Sequence, residues 1–375
     1  MDVFRQKYEE IKSEIPGDMI AQVLSKIKDG LRDRPLVLYG AGRMVGVFLD
    51  YCRECGLTVS CVCDSFKSGT YNWRGENLRI LGLDTIKKDY HDATIIICSY
   101  TYNNEIYENL IQNEFIKDRI IQYPALSPYV ETARTFEHHV NGYEWAYNFF
   151  DDERSRQLVL DRIRLYLLDQ PMCPNTSCTY YYEDGLISLS NNEIYIDAGT
   201  YDGNTVEMFI EKMREVEKNY SRIYAFEPSI SNYEKAVKRL SGYLNVEMVQ
   251  KGLWSTETKL SFFENSMNQG GSSFTLGSGD GLCVPVTSLD AFFKNSSDNE
   301  LPTFIKMDIE GAEKEALLGA TSIIRRLKPK LVVCAYHKPE DIYELPKTIL
   351  NIRDDYRFAL RQHFAGCYDT VLYAV

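Results

Sequence analysis

The chain has 375 residues, enough for two domains with a connecting layer, and its 44% hydrophobic and 26% charged residues describe a folded globular protein. A formal net charge of -12, from 54 acidic and 42 basic side chains, argues against DNA or RNA as a partner, because sequence-independent affinity for a phosphate backbone comes from Lys and Arg. No run reaches the roughly 18 apolar residues of a membrane span, and the opening MDVFRQKYEEIKSEIP is too charged for a secretory signal, so a cytoplasmic protein with reduced thiols is expected.

Residues 1–33 are expected to form a helical segment, with Ile11, Ile15, Ile20, Val23, Leu24 and Ile27 at its apolar positions and Pro35 at its end. LVLYGAGRMVGVFLDYC then reads as strand, glycine turn and helix, with Gly40, Gly42 and Gly46 in the turn and first helical turn. The next strand, 59–63, ends at Asp64, roughly twenty residues past the glycines, where an acid binds ribose in a dinucleotide fold. Residues 93–100 are a continuous apolar run, as in a central parallel strand, followed by a helix at 104–113 and a strand at 119–122. Residues 34–124 therefore predict a small doubly wound α/β domain. Its spacing is G-x-G-x-x-x-G rather than G-x-G-x-x-G, so a purely structural turn and nucleotide or sugar-nucleotide binding both stay open. Cys52, Cys55, Cys61 and Cys63 crowd as zinc ligands do, but the first two fall on a helix and the last two on one strand face, and no metal is assigned to them.

Residues 125–180 read as a helical connector after Pro124 and Pro128. Asp151 or Asp152 caps a helix carrying Leu158, Asp161, Ile163, Tyr166 and Leu167, which stops at Pro171. Tyr143, Trp145, Tyr147 and Phe149 are expected in the core. Tyr180, Tyr181 and Tyr182 lie either in a loop over the next motif's ligand or on a half-buried edge strand.

That motif is IYIDAGTYDGNTVEMF, starting at Ile194. A strand is followed by Gly199 and Gly203, which bracket Thr200, Tyr201 and Asp202, and then by a helix on which Val206, Phe209, Ile210 and Met213 share a face. Glycine lets the backbone pass close to a ligand, and a helix N-terminus offers unpaired N–H groups. Strands are then expected at 222–226, 245–250, 303–308 and 331–336, and helices at 205–218, 231–240, 312–325 and 340–352. The last two strands, 357–362 and 370–374, have no helix between them. They must form a hairpin, so the final strand runs antiparallel to the rest. The insertion 258–293 carries extra strands, LSFFEN and VPVTSL, and a glycine-serine loop at 269–281.

YIDAGTYDGNTV, YAFEPSISNYEKA, KGLWS, SSFT, VPVTSLD, FIKMDIEGAEKEALLGA, KPKLVVCAYHKPEDIYELP and DTVLYAV occur in an order that resembles the FkbM-type methyltransferases across residues 181–375. The resemblance implies a class I methyltransferase fold, a seven-stranded Rossmann-like sheet with the last strand antiparallel, preceded by the smaller α/β domain. It implies S-adenosyl-L-methionine as cofactor and methylation of a hydroxyl on a sugar, glycan or related small molecule. In that frame the loop from Gly199 through Thr200, Tyr201, Asp202 and Gly203, with Thr205, would cradle the cofactor, and Asp197 would bind the methionine amino group or order water beside it. Glu227, ending the second strand, would take the two ribose hydroxyls; the alternative is a helix-capping acid. Gly252 and Trp254 follow the third strand, where adenine is held, although Trp254 as core stays open.

Chemistry belongs at the carboxyl ends of the strands, where Asp308, Glu310 and His337 fall. Methyl transfer to a hydroxyl needs alignment and a base. Asp308 or His337 is expected as the base, with Glu310 orienting and Asp308 also beside the cofactor. Lys306 lies on the same strand face as Asp308 and is expected to pair with it. A divalent metal at the set stays open, and none is assigned. The alternative function is a NAD(P)- or sugar-nucleotide-binding protein acting through residues 34–124. The acceptor is undefined by the sequence, and a homo-oligomer is left open.

Overall fold

Leu36–Tyr39 (β1) and Thr94–Ile97 (β5) pair as parallel strands at the centre of a six-stranded sheet. Their side chains alternate between two cores: Leu36 and Leu38 face one cluster, Val37 and Tyr39 the other. Cys61–Cys63 (β2), Gly69–Trp73 (β3), Glu76–Leu81 (β4) and Ile120–Ile121 (β6) complete the order β3-β4-β2-β1-β5-β6, parallel except for β3. Val3–Ser13 is the first helix (α1). Arg43–Glu54 (α2) covers one sheet face through Val45, Phe48 and Leu49. Leu83–Asp89 (α3) and Asn103–Gln112 (α4) cover the other through Ile86 and Leu110. The β3–β4 hairpin was not expected from the sequence. Its signal is the Arg74-Gly75 turn, where both residues take positive φ (45° and 88°), as a two-residue hairpin turn demands.

The structure is a computed structural model that describes residues 3–15, 24–25, 27–28, 34–99, 102–122, 136–168, 170–176, 180–263, 273–275 and 282–375. The expectations for Ile20, Val23, Pro124, Pro128 and most of the 269–281 loop lie outside these residues. The chain divides into two compact units: residues 6–136 with 163–171, and residues 1–5, 137–162 and 172–375. No helix among the described residues is long and apolar enough to cross a membrane.

Val140–Phe149 (α5), in the larger unit, is followed by Glu153–Leu168 (α6), of which residues 153–162 belong to the same unit. Asp152 caps α6, its Oδ1 accepting from Ser155 N at 3.1 Å. Tyr143 and Tyr147 are buried as expected, while the half-buried Trp145 and Phe149 stack on each other at 4.5 Å.

The second sheet starts with Glu193–Ala198 (β7), Tyr220–Phe226 (β8) and Val246–Val249 (β9), connected by Asn204–Glu215 (α7) and Ile230–Leu240 (α8). The insertion then builds a four-stranded sheet from Gly252–Leu253 (β10), Thr258–Phe263 (β11), Ser273–Thr275 (β12) and Leu282–Thr287 (β13). Leu289–Phe292 (α9) leads to Phe304–Met307 (β14), then Glu313–Leu318 (α10) and Thr321–Leu327 (α11), Lys330–Cys334 (β15) and Asp341–Ile352 (α12). Phe358–Gln362 (β16) and Thr370–Ala374 (β17) close the chain. The order is β16-β17-β15-β14-β7-β8-β9, with β17 antiparallel to both neighbours, as the missing crossover requires. The single helix expected at 312–325 is instead two. Gly319, at the break, sits where an added Cβ would lie 2.1 Å from the Trp254 carbonyl oxygen.

Candidate active site

β7 ends at Ala198, and the chain turns back through Gly199 (φ 75°), Tyr201 (φ 54°) and Gly203 (φ 90°) before α7 begins. The turn is pressed against the end of β14: a Cβ on Gly199 would lie 1.8 Å from the Asp308 carbonyl oxygen. Asp197 holds it from below. Its carboxylate is wholly buried, with Oδ1 2.9 Å from Lys306 Nζ and Oδ2 accepting from Thr200 Oγ1 (3.1 Å) and Thr205 Oγ1 (2.5 Å). Lys306 also donates to the carbonyls of Gly199 (2.8 Å) and Ala198 (3.3 Å). The expected ion pair of Lys306 with Asp308 is therefore corrected. Lys306 and Asp308 do share a strand face, but the β14–β7 register sets Lys306 directly across from Asp197, and the ammonium is taken there. Asp202 turns outward, its carboxylate in an ion pair with Arg239.

Glu227 follows β8 and is 5% exposed. Oε2 accepts from Tyr201 N at 3.0 Å and Oε1 from Ser229 N at 2.9 Å. Each oxygen keeps a lone pair for a further donor. Burial raises its pKa and the two N–H groups oppose this only in part, leaving it at about 7. The alternative of a helix cap falls to Ser229, whose hydroxyl oxygen accepts from Asn232 N at the start of α8. Gly252 is buried at the start of β10, and Trp254 N donates to the Thr287 carbonyl at 2.8 Å.

The ends of β14 and β15 bring Asp308, Glu310 and His337 together. His337 Nε2 lies 3.5 Å from Asp308 Oδ1 and 3.6 Å from Glu310 Oε2. Nδ1 faces Glu313 Oε1 at 3.0 Å as an ion pair. Burial works against the imidazolium, but Glu313, Asp308 and Glu310 outweigh it and raise His337 to about 10. Burial would raise Asp308. Lys306, His337 and two tyrosine hydroxyls outweigh it and hold the carboxyl below its usual range. Those hydroxyls are Tyr181 on Oδ2 and Tyr336 on Oδ1, each at 3.0 Å. Glu310, at φ 57°, is pushed up to about 8, first by burial.

Three residues of this site were not singled out from the sequence: Tyr336, Glu313 and Asp341. The tyrosine run is a buried turn and not an edge strand: Tyr181 and Tyr182 are 1% and 2% exposed, and the Tyr181 hydroxyl reaches Asp308. Glu313, also buried, lies three residues past Glu310 at the start of α10, and its Oε1 accepts from Ile309 N at 2.9 Å. The signal that would have found it is a carboxylate in the first turn of the helix that opens beside the site.

In the smaller unit the second glycine turn is closed by its own side chains. Asp64 accepts from Ala41 N (2.6 Å), Phe66 N (2.9 Å) and Lys67 N (2.9 Å). The Tyr71 hydroxyl accepts from Gly46 N (3.1 Å) and donates to the Gly42 carbonyl (3.0 Å), and Trp73 lies where a Cβ on Gly46 would be. Cys52 packs in one core and Cys61 and Cys63 in the other, so they do not converge on a metal. Burial pushes these thiols up to about 12, 11 and 12, which keeps them protonated.

The family profile of the methyltransferase FkbM domain matches residues 197–359. The chain is similar in fold to a methyltransferase FkbM from Methylobacillus flagellatus KT, at 20% identity and a TM-score of 0.62, covering 100% of this chain and 99% of that one. Partial similarity extends to fibrillarin from Aeropyrum pernix, solved with natively bound S-adenosyl-L-methionine (12% identity, TM-score 0.32, 51% and 70% covered). It extends also to an rRNA methylase from Streptococcus thermophilus (17%, 0.31, 50% and 87%). No curated protein matches the sequence.

Proposed function

We propose that the protein, whose residues 197–359 match the methyltransferase FkbM domain, is an S-adenosyl-L-methionine-dependent O-methyltransferase acting on a hydroxyl of a sugar, glycan or related small molecule. The observation that carries the cofactor reading is Glu227. It is a buried carboxylate at the carboxyl end of β8, held by one N–H per oxygen and keeping the acceptor capacity that two ribose hydroxyls require.

When bound, S-adenosyl-L-methionine supplies a methyl group already activated on a sulfonium. The chain's part is to bind, align and manage one proton. Glu227 holds the ribose. The turn from Gly199 to Gly203 approaches the ligand with its backbone, and Gly252 and Trp254 border the adenine. Asp197, Thr200, Thr205 and Lys306 act through this turn, because their polar atoms are spent on one another and on the loop carbonyls. On the acceptor side, the hydroxyl proton goes to the carboxylate pair Asp308 and Glu310. Of the two bases left open by the sequence, this reading takes Asp308. Both nitrogens of His337 face carboxylates, so its ring serves as their counter-charge.

Calorimetry with S-adenosylhomocysteine tests the cofactor reading. Micromolar binding is expected, strongly weakened by Glu227→Ala. A wild-type protein that fails to bind overturns it. Labelled methyl transfer to a panel of glycans and free sugars then tests the acceptor class.

A further inference from the structure

Four acidic side chains crowd the one imidazole of His337. Asp308, Glu310, Glu313 and Asp341 all act on the one imidazole. Lys306 is committed to Asp197 and to loop carbonyls. The hydroxyls of Tyr181 and Tyr336 bond to Asp308 but bring no charge.

Three polar atoms here are also left over. Glu313 is fully buried, and its Oε2 has no hydrogen-bond partner among the described residues. Both ring nitrogens of His337, themselves out of reach of solvent, likewise lack a hydrogen bond, although each faces a carboxylate within 3.6 Å. Such orphans are rare, and an ion is one of their ordinary explanations. One donor atom from each of Asp308, Glu313 and His337 lies within 4.8 Å of the other two. Ligands about 2.1 Å from a shared ion stand roughly 3–4 Å apart, so small side-chain shifts close the set.

We propose that Asp308, Glu313 and His337 form a binding site for a divalent first-row transition ion, with Glu310 beside it; the ring binds only when neutral, so the ion takes the place of the proton that makes His337 the counter-charge in the ion-free protein. Two carboxylates and an imidazole suit manganese, iron or zinc better than magnesium or calcium, which prefer oxygen alone. The three ligands come from the end of β14, the start of α10 and the end of β15, all held by the sheet. They leave positions on the ion open to an oxygen ligand. That these positions face the acceptor rests on the methyl-transfer reading; binding of the ion does not.

The test uses the full chain, stripped with a chelator and titrated with Mn2+, free ion being read by electron paramagnetic resonance. One site per chain is expected, weakened at least about tenfold in H337A and in D308N. E313Q is a third variant, and cooperative thermal unfolding reports whether each variant is folded. Competition by Zn2+ at the same site is expected. A wild-type protein with no saturable site, or a site unchanged in folded H337A and D308N, overturns the proposal. S-adenosylhomocysteine binding is measured separately on the wild type, so failure of the methyltransferase reading shows as loss of that signal and not of the manganese one.

Discussion

Lys306 Nζ stands 2.9 Å from Asp197 Oδ1, and neither side chain is reached by solvent. The pair joins β14 to β7 directly, because the two residues are opposite each other in the parallel register. It also carries the glycine turn, through Lys306 on the Gly199 carbonyl and Asp197 on Thr200 and Thr205. Lys306→Met leaves a buried carboxylate without its cation, which costs about 3–5 kcal/mol. Urea denaturation should show that loss, and calorimetry a weakened S-adenosylhomocysteine affinity, since the turn loses its anchor. Unchanged stability would mean that the two hydroxyl donors alone support Asp197.

Glu227 predicts opposite pH trends for stability and for binding. Its folded pKa is about 7, against an ordinary 4.5, so the folded state keeps a proton that the unfolded chain has released. Its contribution to stability therefore falls as pH rises from about 4.5 to about 7 and is flat above. Ribose hydroxyls need the ionised acceptor, so S-adenosylhomocysteine affinity should rise through about pH 7. In Glu227→Gln the affinity should be low and lose this dependence. Calorimetry between about pH 6 and pH 8 measures both, and a wild-type affinity that is flat across that window speaks against Glu227 as the ribose acceptor.

Gly199→Ala should cost more than the turn can absorb. The added methyl would meet the Asp308 carbonyl at 1.8 Å, and the residue sits at φ 75°. The two effects together are of the order of a few kcal/mol. Loss of cofactor binding and a lowered melting temperature are expected. A folded variant with normal binding would show that β14 and the turn can separate.

Tyr201 sits in the same turn at φ 54°, yet Tyr201→Gly should be tolerated. Glycine accepts that backbone conformation without strain, and the bond to Glu227 uses the backbone N–H, which survives the change. Cofactor affinity should stay within about threefold, roughly 0.6 kcal/mol, while acceptor turnover changes. Loss of binding with unchanged turnover at saturation is the outcome that refutes this.

Tyr181→Phe removes one of the two hydroxyl donors to Asp308. An ionised acceptor that loses a buried partner costs about 1–3 kcal/mol. Turnover should fall, while S-adenosylhomocysteine binding, which uses Glu227 and the turn, stays within error. Equal loss of both would place Tyr181 in the cofactor pocket.

Much of this was legible before any coordinates. The run from Ile194 to Phe209 could only be strand, turn and helix, because its apolar residues change spacing at the glycines. The seven residues between Gln362 and Thr370 cannot hold a crossover helix, so β17 had to be antiparallel. Chain order along the strands likewise placed Glu227, Asp308, Glu310 and His337 at carboxyl ends. The structure then brought Asp308 and Glu310 each within 3.6 Å of His337.

Other features follow from contacts between segments far apart in the chain. Asp197 lies 109 positions from Lys306, and Tyr181 lies 127 from Asp308. A two-residue spacing within β14 assigned Lys306 to Asp308, because periodicity along one strand says nothing about the strand beside it. The need for glycine at 319 has the same origin, in the Trp254 carbonyl packed against it. Sequence alone determined the order and direction of the elements, which depend on local spacing and loop length. Only tertiary structure decided which buried charge meets which, because sheet register and burial bring distant side chains together and give each charge its counterpart.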